Sequence, residues 1–301
     1  MSEVETAEAR ADSRHPIVVE QHERLLRQRG ELAELGLERN VVDLEIFGYT
    51  ILEDVKPMAF FDALRETILG LGEADLKNGN RVPIAGQDGG SYLVWQLLNR
   101  GRIFEEAVMA EKPLALATYL LGESCQLSSM GGHVRAQGDA PQVMHVDIPF
   151  VPEPLPGFHH TCNTMWCTDD FTLEGGGTLV VPGSHKNCSH PLTGRTARNM
   201  AIPVEAPKGS VIVFTGHLWH CAGARTTPGV RVGVTNYFSR MYARPQEPLN
   251  ELVSDEIVDR NPPRFAELIG RNNPYPYPAD GYGFDGQKIM AHINKTHDPR
   301  G

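Results

Sequence analysis

Cysteine is scarce and unpatterned in this chain. There are five thiols, at Cys125, Cys162, Cys167, Cys188 and Cys221, an odd set with no Cys-x-x-Cys pair. Such a set suggests neither a disulfide framework nor a zinc ribbon, and it suits a reducing compartment. Long apolar runs are also missing: none approaches the roughly 20 residues of a membrane span, and the charged opening MSEVETAEARADSRHP lacks an apolar leader core. The expectation is a cytoplasmic protein with no membrane partner. Basic residues are too few for a nucleic-acid surface, with 28 Lys and Arg against 38 Asp and Glu and a formal net charge of −10. A small-molecule substrate is the expected partner, and the oligomeric state stays open. Internal repeats and low-complexity linkers are absent too, so one domain is expected over residues 16–301, behind a disordered tail over 1–15.

What is present changes texture along the chain. Residues 17–40 carry apolar positions at helical spacing, FGYTILEDV reads as a strand, and KPMAFFDALRETILGLG as an amphipathic helix with Met58, Phe61, Leu64 and Ile68 on one face. A further helical stretch, RIFEEAVMAEKPLALATYLLGE, holds Pro113 as a kink or break. From about residue 125, short runs rich in Val, Thr, Phe and Cys alternate with Gly and Pro. About eight strands are expected there, including CQLSSMGGHVRA, QVMHVDI, TCNTMWCT, SVIVFTG and RVGVTNYFS. Helices followed by short strands imply a mainly β fold, an antiparallel double-sheet roll at about 125–240 with helical support outside it over about 16–122. The tail from about 241, with NNPYPYPADGYGFDG, is expected to wrap the body as ordered loop.

Chemistry enters at QVMHVDIPF. In a strand, alternate side chains share a face, so His145 and Asp147 point one way and Val146 and Ile148 the other. Such a pair alone is weak, since a chain with 12 histidines yields about one or two by chance. An octahedral iron site needs a third ligand on the same face, leaving three positions open. GSVIVFTGHLWHCAGARTTPGVRVG offers His217 and His220 for it, followed by Arg231 on what reads as the returning strand of a hairpin, where a guanidinium can hold a carboxylate bidentately.

In that order and context, His145-x-Asp147, His220 and Arg231 resemble the iron(II)/2-oxoglutarate-dependent oxygenases of the phytanoyl-CoA hydroxylase (phytanoyl-CoA dioxygenase) family. CTDDFTLEGGGTLVVPGSHK, GHLWHCAGAR and the early GYTILEDV extend the similarity over roughly residues 40 to 245. The resemblance implies a double-stranded β-helix, or cupin-like jelly roll, with Fe(2+) on His145, Asp147 and His220. It implies Arg231 on the far carboxylate of 2-oxoglutarate, with Gln142 and Thr178 also on this cosubstrate. The implied reaction consumes O2, releases succinate and CO2, and oxidises, most often hydroxylates, a small organic metabolite. Desaturation, epoxidation and rearrangement stay open, whereas halogenation is disfavoured because Asp147 supplies the ligand carboxylate that such halogenases lack.

Ala222 stands where some relatives carry a hydroxyl, which shifts carboxylate binding towards Arg231. Asn163 and Trp166 lie at opposite parity in one strand, so one alone can face the cavity. Specificity is expected from the Gly- and Pro-rich 76–96 segment, the loop after Asp147 and the C-terminal wrap, with Trp95, Arg81, Phe150 and Tyr237 as the candidate substrate contacts. Two competing readings are a cupin-like metalloenzyme that does not use 2-oxoglutarate and a non-catalytic barrel that binds a metal or ligand.

Overall fold

The computed structural model describes residues 16–84, 90–191, 195–275 and 285–296. The expected tail at 1–15 lies outside these, as do parts of the 76–96 and 272–286 segments. The first helical stretch is two helices, α1 (Pro16–Glu34) and α2 (Glu38–Phe47). Gly36 separates them at φ +67, a left-handed conformation that glycine adopts without steric cost, and Leu37 N–H closes the turn on Leu32 O at 2.8 Å. Strand β1 (Tyr49–Leu52) follows, then α3 (Met58–Lys77), whose Phe61, Leu64 and Ile68 are fully buried while Met58 is half exposed.

After β2 (Val82–Pro83) and β3 (Tyr92–Val94) come α4 (Arg102–Val108) and α5 (Glu111–Leu121). The break falls before Pro113, which sits in the first turn of α5, where a missing N–H costs no helical hydrogen bond. The remaining strands are β4 (Gln126–Ala136), β5 (Thr161–Cys167), β6 (Thr178–Val180), β7 (Ile202–Pro203), β8 (Val211–Thr215), β9 (His220–Ala222) and β10 (Val230–Ser239), with the short α6 (Arg195–Asn199) before β7.

Among the described residues these strands form an antiparallel sheet of seven in the order β1-β8-β5-β10-β4-β3-β2 and one of three in the order β7-β6-β9. Period-two alternation divides the large sheet's faces. Its outer face presents Trp166, Val211, Val213, Val232 and Val234, packed against Phe61, Leu64, Ile68 and Phe104 of the helices in one buried cluster. Its inner face presents Ser129, His133, Arg135, Asn163, Met165, Phe214, Arg231, Thr235 and Tyr237 to a cavity shared with the small sheet. Helices therefore seal one face, and the chemistry collects on the other. This is the expected jelly roll with flanking helices.

Two expectations need correction. Residues 142–148 are not a regular strand, because their pairing slips on each side of His145. Gln142 N bonds Ala222 O, His145 and His220 exchange both backbone bonds, and Asp147 N bonds Gly216 O, so three residues face two and then two face four. Alternation survives nonetheless, with Val146 and Ile148 buried against Leu155, Val181 and Trp219. The tail is also more regular than its composition suggests. It contains α7 (Leu249–Leu252), α8 (Asp255–Asp259), α9 (Pro263–Leu268) and α10 (Gly286–Thr296). Buried Glu105 ties it to α4 by accepting from Arg260 and from Asn261 Nδ2.

Candidate active site

His145, Asp147 and His220 converge, each offering one ligand atom within 4.8 Å of the others. His145 Nδ1 lies 2.8 Å from Val143 O, and His220 Nδ1 2.8 Å from Leu218 O. A carbonyl accepts only, so each Nδ1 carries the proton and each Nε2 presents a lone pair. Those Nε2 atoms stand 3.6 and 3.5 Å from the two Asp147 oxygens. Burial lowers the pKa of His220, opposed by the neighbouring Asp147, so the imidazole is held neutral as ligation requires. Each member is fixed by backbone: His145 and His220 by their mutual bridge, Asp147 through its N–H on Gly216 O at 2.8 Å.

Asp147 is also held from the sheet. Asn163 Nδ2 donates to Asp147 Oδ2 at 2.6 Å, and the Tyr237 hydroxyl donates to Asp147 O at 2.5 Å. Both come from the inner face, where Asn163 and Tyr237 are register partners on β5 and β10. The parity question is thus resolved, since Trp166 lies on the opposite face against Phe60 and Phe61.

The cavity in front of the triad has a volume of about 220 Å³. Arg231 enters it 3% exposed, its guanidinium over the Phe171 ring at 4.0 Å, with Nε and Nη1 lacking hydrogen-bond partners. Burial, then neighbouring Arg135, lowers its pKa to about 10, so it remains a cation at neutral pH. His133 is neutral there, its pKa lowered to about 4 by burial and then by Arg231 and Arg135. Gln142 accepts from Ala222 N through Oε1 at 3.2 Å, and Thr178 pairs with Ala222 across β6 and β9; both line the cavity.

Of the four residues expected to touch substrate, Trp95 and Tyr237 line this cavity. Arg81 is instead stacked on Tyr92 at 3.9 Å, and Phe150 is 98% exposed on the turn after Asp147. His217 does not join the triad. Three residues before His220, it turns towards His159, at 6.3 Å between ring centroids, and both its ring nitrogens are buried without partners. The reading from sequence missed Arg135, His133, Ser129 and Gln246 on the cavity wall. For the first two, the parity of β4 was the available signal: Arg135 is the register partner of Arg231.

A family model described as phytanoyl-CoA dioxygenase matches residues 44–233. An uncharacterised protein of Mycobacterium tuberculosis is 30% identical over 236 residues, covering 75% of this chain and 84% of that protein. Dioxygenase af480 of Aspergillus fumigatus is 26% identical over 189 residues, 62% of this chain and 61% of its own length. The crystal structure of HygX from Streptomyces hygroscopicus, with nickel and 2-oxoglutarate bound, shares the fold at a TM-score of 0.56 and 14% identity, covering 73% of this chain and 93% of that one. Among the described residues, no helix is long and apolar enough to cross a membrane. The match over residues 44–233 spans His145, Asp147, His220 and Arg231, and the chain belongs to the phytanoyl-CoA dioxygenase family of iron- and 2-oxoglutarate-dependent oxygenases.

Proposed function

We propose that this chain oxidises a small organic metabolite, by hydroxylation, with consumption of O2 and 2-oxoglutarate and release of succinate and CO2. One observation carries the reading: a two-histidine, one-carboxylate donor set and a buried guanidinium with two unpartnered nitrogens share one cavity. The residues fit the cofactors. Two lone pairs and a carboxylate suit a divalent iron with open positions, and Arg231 lacks the anion that a second carboxylate would bring. Bound iron would supply the activation of dioxygen, coupled to decarboxylation of the 2-oxo acid.

The protein's own part is positional. The Val143 and Leu218 carbonyls hold the two imidazoles in the ligating tautomer. Asn163 occupies Asp147 Oδ2 and restricts how that carboxylate can rotate. All lining the cavity, Gln142 and Thr178 would meet the cosubstrate, whereas Trp95, Ser129, Tyr237 and Gln246 would offer an aromatic and uncharged polar wall to the substrate.

The test is an anaerobic titration of metal-free protein with iron(II) and 2-oxoglutarate, following the weak visible charge-transfer band of a chelated 2-oxo acid. Wild type should develop the band, Asp147→Ala should lose it, and Arg231→Ala should require much more 2-oxoglutarate. Iron binding without a band at saturating 2-oxoglutarate would overturn the reading. The substrate is then sought by succinate release over a panel of small metabolites, and a response from amino acids or protein side chains alone would refute the metabolite class.

A further inference from the structure

Arg135 and Arg231 are register partners on β4 and β10, both at 3% exposure or less and both on the cavity wall. Paired residues on one face of an antiparallel ladder have Cβ atoms about 5 Å apart, so two cationic side chains leave neighbouring positions of the same wall and lie close enough for Arg135 to lower the pKa of Arg231. Their like charge is costly at that distance in a poorly solvated site. Arg135 is only partly satisfied. Its Nε donates to Asp139 Oδ2 at 2.5 Å and its Nη2 to Ala140 O at 3.1 Å, which leaves Nη1 buried with no partner. Arg231 leaves Nε and Nη1 in the same condition and, among the described residues, has no carboxylate in ion-pair contact. Arg225, the third guanidinium nearby, is fully used on the carbonyls of Gly175, Pro228 and Gly229. Ala222, on the facing strand, contributes no side-chain donor.

A buried N–H without an acceptor is unfavourable, and here three such nitrogens belong to two cations that line one cavity. One carboxylate between them would accept from Arg135 Nη1 and Arg231 Nη1 together and offset the repulsion. We propose that Arg135 is a second anchor for the distal carboxylate of 2-oxoglutarate, binding it through Nη1 beside Arg231. The inference rests on the function proposed above and extends it, because a paired clamp selects a dicarboxylic 2-oxo acid over a monocarboxylic one. The competing role for Arg135 is a strut that holds the 136–140 turn through Asp139. That role does not distinguish the two acids.

The experiment is anaerobic calorimetric titration of iron(II)-loaded protein with 2-oxoglutarate and, separately, with 2-oxopentanoate, which keeps the keto acid but carries a methyl in place of the distal carboxylate. For Arg135→Gln, the Kd for 2-oxoglutarate should rise about tenfold, the scale of one lost charge-assisted hydrogen bond, while the Kd for 2-oxopentanoate stays near the wild-type value. Should Arg135→Gln fail to fold, Arg135→Lys carries the same comparison, since it keeps the charge and loses the planar fork. Equal weakening of both acids, or of neither, overturns the second anchor while leaving the proposed function intact. Wild-type protein that does not bind 2-oxoglutarate overturns both.

Discussion

At the scale of single residues, the site depends on groups that never touch a metal. Asn163 places its amide 2.6 Å from Asp147 Oδ2, and the outer partners of ligands commonly contribute tenfold or more to metal affinity. Asn163→Ala should therefore weaken iron(II) binding by about 10- to 100-fold, measured by competition with a chelating dye, with little change in melting temperature. An unchanged affinity would mean that Asp147 is fixed by its backbone bonds alone. The triad could be found in the sequence because His145 and Asp147 alternate and His220 follows a strongly apolar strand. Asn163 was legible only as one of two alternatives, decided when its strand acquired a direction. Arg135 shares the β4 parity of His133, but that parity acquires meaning only through the pairing with Arg231 on a strand distant in sequence.

At the scale of elements, the turn from β8 to β9 sets the triad. Thr215 ends β8, and Gly216 O then receives the Asp147 N–H. A Cβ at Gly216 would lie 1.8 Å from Thr161 Oγ1, 3.0 Å from Thr161 Cβ and 3.4 Å from Asp147 Cβ. No methyl fits there without displacing the Thr161 hydroxyl. Gly216→Ala should cost about 1–3 kcal/mol, the usual range for overpacking, and should lower iron affinity as well. Removing the obstructing hydroxyl in Gly216→Ala/Thr161→Ala should recover most of both losses, read by urea denaturation and metal titration; additive losses would refute the steric account. Long amphipathic or alternating elements such as α3, β5, β8 and β10 were readable from their period. The 142–148 segment was not, since its alternation is that of a strand while its hydrogen bonds slip in register on both sides of His145. The tail misled for a related reason: its short helices are held by partners such as Glu105 rather than by any period of their own.

At the scale of the whole molecule, the roll buries several histidines in neutral form, and this makes folding sensitive to acid. His217 is the clearest case, 3% exposed with both ring nitrogens unpartnered. Burial first, then His159, His160 and His185, lowers its pKa from 6.5 to about 4. The folded value lies below the unfolded one, so between those pH values the unfolded chain binds a proton that the folded chain refuses. Stability is therefore intact above about pH 6.5 and is lost as the pH falls towards 4, on the order of 2–3 kcal/mol from this one group. Because the neutral ring makes no hydrogen bond in the fold, replacing it by an apolar side chain of similar size leaves no partner stranded. His217→Leu should thus keep the wild-type urea midpoint at pH 7.5. It should also flatten the acid limb between pH 6.5 and 4 by about 1.4 kcal/mol per pH unit, the slope of one proton. His133, with a pKa also lowered to about 4, continues to contribute in both proteins, so the limb becomes shallower without vanishing. A variant whose stability falls with acid as steeply as wild type would show that His217 gains a partner or charges within the fold, and that the loss has another source.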